Sequence, residues 1–136
     1  MSSEANRKAE AARWLRYALE DLRAAKASGE AALADRHRCM LAQQASEKAL
    51  KAVLISIDID PPRTHDLRLL MDLIPGDGSV RSVQVNLGRL SQWIVESRYP
   101  GDWPDATSVD AEMATADASK IVDAVVFDIE RAQQSR

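Results

Sequence analysis

Five side chains in this sequence are of the types that handle phosphate or protons, and they fall in three short patches. Lys48 and Lys51 lie in Gln43-Gln44-Ala45-Ser46-Glu47-Lys48-Ala49-Leu50-Lys51-Ala52. His65 lies in Thr64-His65-Asp66-Leu67, and Arg98 and Tyr99 lie in Glu96-Ser97-Arg98-Tyr99-Pro100. Lysine and arginine hold anions through charge-assisted hydrogen bonds, and the arginine fork grips phosphate with two of them. A tyrosine ring stacks on a base, and histidine exchanges a proton near neutral pH. All five are candidates for binding a nucleotide or RNA. Arg98, His65 and Tyr99 are also the candidates for any catalysis. Each has a plain structural alternative. The lysines can form a solvated helix face, His65 can support a helix cap, and Arg98-Tyr99-Pro100 can simply end a helix. Trp103 reads as a further stacking group or as a plug for the end of the fold, and His37 as a half-buried or surface histidine.

The wider sequence excludes other chemistries. It has no Gly-rich phosphate loop, no G-x-S-x-G, no H-E-x-x-H and no EF-hand loop. Two distant histidines and the single Cys39 give no metal-ligand spacing, so neither a metal nor a cofactor is expected. Cys39 is expected to be a small buried apolar group on a helix. No apolar run approaches the ~20 residues that cross a bilayer. Residues 1–10 are polar without a signal-peptide core, so no membrane partner and a cytoplasmic location are expected.

The elements that must position these residues read as helices. The 136 residues suit a single domain, 1–136. They include 22 Ala and 13 Leu against one Phe and two Tyr, a composition for close-packed helices rather than for β-branched, aromatic sheets. Residues 1–57 carry ten basic and seven acidic side chains, while the rest of the chain is acidic, giving a net charge of −3. That balance argues against a protein coated in nucleic acid but allows a local basic groove on the first two helices.

A first helix is predicted over 4–28, with Leu15, Leu19 and Leu22 on one apolar face and Ser2 or Ser3 as its cap. A second is predicted over 31–57, where Ala42, Ala45, Ala49 and Ala52 form a row that lets another backbone approach. His37, Gln44, Lys48 and Lys51 share a second face of it, and Glu47 and Lys51 form an i, i+4 pair in the favourable order. Pro61 and Pro62 break the chain. A short helix follows, capped by Thr64, with Leu67, Leu70, Met71 and Ile74 inward. A fourth helix is predicted over 79–97, with Val83, Leu87, Leu90 and Ile94 as its stripe. The last begins near 108–110 and runs inward through Ala114, Ala118, Ile121, Val125 and Ile129. The expected fold is all-α, an antiparallel up-and-down four-helix bundle with one additional short helix. Leu50, Leu54, Trp93 and Val126 lie off the main stripes, which suggests an apolar surface and a homodimer.

The order and spacing of the three patches, with Trp14 and Asp21-Leu22 upstream, resemble the HEPN domain family from about Ala11 to Glu130. The resemblance implies a helical bundle that usually forms homodimers and a connection to nucleotides or RNA. It also implies, as a partner, a minimal nucleotidyltransferase of the kind with which small HEPN proteins form toxin–antitoxin pairs. Ribonuclease members carry an arginine followed four to six residues later by histidine. Here those positions after Arg98 are Asp102, Trp103 and Pro104. Three functions stay open at this point. They are a nucleotide- or RNA-binding partner protein, a metal-independent ribonuclease toxin with a divergent site, and a non-catalytic interaction scaffold.

Overall fold

A computed structural model describes residues 3–96 and 100–134. Its helices are α1 (Glu4–Lys26), α2 (Asp35–Ser56), α3 (Leu67–Asp72), α4 (Leu87–Glu96) and α5 (Ser108–Gln134). Short 3₁₀ turns occupy Gly29–Ala31 and Ser79–Ser82. Ser3 caps α1 by accepting from Asn6 N at 3.1 Å. The expected all-α bundle is present: α1, α2, α4 and α5 form it, and α3 packs against α2 and α4.

The bundle is organised around α2, which touches every other helix. Twelve of its 22 residues are buried, so it has hardly any solvent face. Ala42, Ala45, Ala49 and Ala52 are fully buried, as the alanine row requires. On α1 the matching positions are Ala11, Ala18 and Ala25, also buried. Small side chains facing one another let two helices lie close along their length. The pair runs antiparallel: Asp21 meets Lys48, and further up α1 the carbonyl of Ala25 accepts from Arg38 Nε at 2.8 Å. Helix α5 lies on α2 in the same direction, with Glu112 near Arg38 at one end and Ile129 near Val53 and Ser56 at the other.

Some expectations require correction. Leu19 is exposed, and the buried stripe of α1 runs instead through Ala11, Ala18, Leu22 and Ala25. Leu50, Leu54 and Trp93 lie in the core rather than on a surface, because α2 is surrounded and α4 turns its indole inward; Val126 is half-buried against the same core. The short helix is capped by Asp66, which accepts from Arg68 N at 3.0 Å, while Thr64 Oγ1 accepts from Asp66 N just before it. The fourth helix starts at Leu87 rather than Ser79. Asp128 of α5 accepts from Ser79 N at 2.9 Å and Val80 N at 3.0 Å, which holds the chain there as a 3₁₀ turn. A Cβ at Gly78 would stand 2.9 Å from Asp128 Oδ2, so a larger residue there would push aside the carboxylate that caps the turn. Asn86 then caps α4 through Arg89 N.

Helix α2 ends in a Schellman motif. Ile59 N donates to Leu54 O at 2.8 Å and Asp58 N to Ile55 O at 3.0 Å. The residue that must be left-handed there is Asp58, at φ 64°, where glycine is the usual occupant. Two outcomes follow for stability. Ala49→Leu forces a branched side chain into the enclosed surface of α2 and should lower unfolding free energy by about 1–3 kcal/mol in urea titration. Asp58→Gly relieves the left-handed strain and should raise it by about 1 kcal/mol.

Candidate functional site

Helix α2 carries four polar residues into its buried surface: Gln43, Ser46, Glu47 and Lys51. Ser46 is satisfied locally by Ala42 O at 2.9 Å. The other three form one cluster around the Glu47 carboxylate. Lys51 Nζ donates to Glu47 Oε2 at 3.1 Å, one helical turn along. Gln43 Nε2, one turn back, donates to Glu47 Oε1 at 3.2 Å and to the backbone carbonyl of His65 at 3.1 Å. His65 Nδ1 reaches the same Oε1 at 2.8 Å. The chain returns to α2 here because Pro61 and Pro62 end the helical path and Asp66 starts α3 beside it.

The electrostatics assign the proton on His65. Burial pushes the Glu47 pKa up, but hydrogen bonds from His65, Lys51 and Gln43 and the charge of Lys51 outweigh it. The net effect holds Glu47 below the ordinary glutamate range, so it is ionised near neutral pH. A carboxylate only accepts hydrogen bonds, so His65 Nδ1 carries the hydrogen. Its Nε2 is then the basic nitrogen of the neutral ring. The His65 side chain is 60 % exposed while Glu47 is 11 % exposed, so a buried anion orients a histidine that solvent and ligands can reach.

Lys48 belongs to a second, separate pair. Its Nζ lies 2.6 Å from Asp21 Oδ2 on α1 and 5.9 Å from the Tyr17 ring centre. Lys51 likewise sits 5.8 Å from the Trp14 ring centre, and the indole is fixed by Nε1 donating to Glu10 at 3.0 Å. Of the five expected site residues, Lys51 and His65 therefore meet on Glu47, and Lys48 stands one turn away on Asp21. Arg98 and Tyr99 lie outside the described residues. Trp103 folds back on the end of α4: its Nε1 donates to Glu96 O at 3.1 Å, and its ring fills the space where a Cβ at Gly101 would stand, 2.7 Å away. Cys39 is fully buried, and burial first, then Asp110 and Asp35, push its thiol up to about 12, so it is an inert apolar group. Among the described residues, no three His, Cys, Asp or Glu side chains gather as a metal site.

The hub itself, Glu47, is the residue that sequence reasoning undervalued. Its pairing with Lys51 is visible from the i, i+4 spacing. Its pairing with His65 depends on a loop whose path no local pattern specifies.

A buried carboxylate on the second helix, bonded to a lysine one turn later and to a histidine just before the third, thus joins the first two sequence patches in space. The HEPN domain family model matches residues 11–131. The chain belongs to the HEPN domain family. The crystal structure of TT1696 from Thermus thermophilus is similar to this HEPN protein at 29 % identity, with a TM-score of 0.72 over 87 % of this chain and 97 % of that one. Among curated proteins, none matches the chain significantly. Among the described residues of this HEPN domain, no helix is long and apolar enough to cross a membrane.

The Glu47 pairing makes stability depend on pH. A carboxyl whose folded pKa is depressed contributes its full stabilisation above its unfolded pKa, here 4.5, and loses it as pH falls through the lower folded value. The midpoint of urea unfolding should therefore decline below pH 4.5. Glu47→Gln should cost on the order of 3 kcal/mol at neutral pH, because it leaves Lys51 as a buried charge without its anion. The same variant should flatten the acid decline.

Proposed function

We propose that this HEPN protein is a binding partner rather than a nuclease: a homodimer that engages a minimal nucleotidyltransferase, as in a toxin–antitoxin pair, together with a nucleotide or RNA. The observation that carries this reading is the state of the site's cations. Lys48 and Lys51 are each tied to a carboxylate on the α1–α2 side of the bundle. Arginine–histidine spacing of the ribonuclease kind is absent, with Asp102, Trp103 and Pro104 following Arg98 at those positions. These ion pairs hold both lysine stems in place beside the rings of Tyr17 and Trp14, which supports a surface that receives a ligand without any group that must turn over. In this reading Arg98 and Tyr99 join Lys48, Lys51 and His65 as ligand contacts. The dimer would cover exposed apolar side chains such as Val109, Met113 and Phe127 of α5 or Leu69 and Leu73 of α3.

The His65–Glu47 pair favours a second reading, a ribonuclease with a divergent site. A histidine held through Nδ1 by a buried carboxylate presents a basic Nε2, which is the arrangement of a general base. In cleavage, Nε2 would take the proton of a ribose 2′-hydroxyl as that oxygen attacks the adjacent phosphorus; the bond to the 5′-oxygen breaks, that oxygen leaves with a proton from water, and a 2′,3′-cyclic phosphate remains.

The two readings separate in one assay. Incubation with RNA in EDTA should leave the RNA intact, and filter binding should show retention that weakens as salt rises, since the contacts are to phosphate. Arg98→Ala should lose binding with an unchanged circular dichroism melt. Cleavage that His65→Ala abolishes would establish the nuclease instead. Light scattering should give the mass of a dimer, and co-expression with a minimal nucleotidyltransferase should give a complex that elutes together.

A further inference from the structure

The peptide around His65 is fixed on every side, while its ring projects into solvent. Gln43 Nε2 donates to the His65 carbonyl at 3.1 Å. Thr64 Oγ1 accepts from Asp66 N at 3.1 Å, and Ser91 Oγ accepts from Leu67 N at 3.1 Å. The ring is held through Nδ1 by the buried Glu47, whose other oxygen accepts from Lys51. The side chain is nevertheless 60 % exposed, and Nε2 has no partner among the described residues. His65 also lines none of the main cavities. The groove at the end of α2 has Asp58, Asp60 and Arg63 in its wall and stops short of it. A general base works best from inside a cavity that holds its substrate. A fixed nitrogen on a projecting ring suits a different role, in which it is presented to a reagent or to another protein as the group that receives.

We propose that His65 Nε2 is a phosphoryl acceptor, a site of histidine phosphorylation by donors of the phosphoramidate or acyl phosphate class. This goes beyond the binding reading and does not depend on it. In the transfer the Nε2 lone pair attacks phosphorus and the N–P bond forms. The bond from phosphorus to the leaving group breaks, and that group departs with the bonding pair, as a carboxylate from an acyl phosphate or as ammonia from protonated phosphoramidate. Nε2 carries no hydrogen in this tautomer, so no proton has to leave it. The ring becomes a cation as the new bond forms. Its Nδ1–H already faces the Glu47 carboxylate, which stabilises that cation without reorganisation.

The surrounding charge favours an anionic donor. Arg63 and Arg68 flank His65 in sequence, both are exposed, and neither forms an ion pair with a described residue. The carboxylates beside the ring are engaged: Asp66 accepts from Arg68 N and Leu69 N, and Glu47 faces Lys51. Phosphoryl donors are anions and are drawn by such cations, whereas a neutral acyl donor gains nothing from them. His37 supplies the contrast within the same chain. It is half-buried, and neither of its ring nitrogens meets a carboxylate among the described residues.

The test is incubation of the full chain with potassium phosphoramidate at mildly alkaline pH. Intact mass counts the phosphoryl groups gained, and phosphorus NMR distinguishes attachment at Nε2 from attachment at Nδ1. The reference is a peptide of residues 61–69, which has the same histidine without Glu47. His65 should react about tenfold faster than the peptide, the worth of one charge-assisted hydrogen bond to the forming cation, and at Nε2 alone. His37 should react no faster than the peptide. His65→Gln should remove the fast phase with an unchanged circular dichroism melt, since the ring is exposed. Glu47→Gln should bring His65 down to the peptide's rate, with circular dichroism at the assay temperature showing that the variant is folded. The comparison of His65 with the peptide needs no variant and stands even where Glu47→Gln does not fold. Arg63→Ala should slow phosphoramidate while leaving the neutral acylating reagent diethyl pyrocarbonate unaffected. Reaction at the peptide's rate, or attachment at Nδ1, overturns the proposal, because exposure alone then accounts for it. A fast phase that survives in folded Glu47→Gln overturns the part assigned to the carboxylate, and equal slowing of both reagents by Arg63→Ala overturns the preference for an anionic donor.

Discussion

The structure depends on the near-complete enclosure of α2. A helix surrounded on all sides must be slim where neighbours approach and satisfied wherever it is polar. The alanine row meets the first demand: Ala42, Ala45, Ala49 and Ala52 let α1 and α5 close on the helix without voids. The second demand falls on Gln43, Glu47 and Lys51, which occupy helix positions that enclosure has largely removed from water. A buried carboxylate without partners would take up a proton. Glu47 instead collects three donors, one from each adjacent turn of its own helix and one from His65. Enclosure therefore creates the pressure that draws the loop before α3 back onto α2.

This links folding and site formation. The Pro61-Pro62 connection and the short α3 are not held by a large apolar surface alone. They are pinned at their junction by Gln43 and Glu47 to the backbone and ring of His65. Two residues on, Ser91 of α4 accepts from Leu67 N at 3.1 Å. The groove at the end of α2 takes its shape from the same constraint, since its outer wall is the segment that leads from Asp58 to His65.

Much of the fold was legible in the sequence because it follows from periodicity. The start of α1 at its serine cap, the inward face of α3 through Leu67, Leu70, Met71 and Ile74, and the inward stripe of α5 all follow local rules. Where the reading failed, a distant residue decided. Ser79 to Ser82 has helical spacing, but Asp128 of α5 captures its backbone N–H groups and holds a 3₁₀ turn. Leu19 follows the leucine pattern of α1 yet faces out, because the closest contact with α2 is made by alanines. The site shows the same division. Lys51 was legible through its pair with Glu47, whereas the role of Glu47 as the shared anion of lysine and histidine needed the return of the 58–66 segment. Arg7, Asp58 and Arg63 carry no motif at all, and only the folded chain places them around one space.

The charges of the α1–α2 side are arranged in close pairs, in a protein with a net charge of −3. Lys48 and Lys51 keep their positions through Asp21 and Glu47, so their local fields are largely cancelled before any ligand arrives. Such pairs add little long-range attraction, because opposite charges in contact look neutral beyond a Debye length. What they provide is order: two flexible ammonium stems are fixed beside the rings of Tyr17 and Trp14. In the binding reading proposed above, such a surface would select by short-range fit rather than by long-range attraction. That selection would turn on shape and stacking, without the basic surface that a general nucleic-acid-binding protein requires.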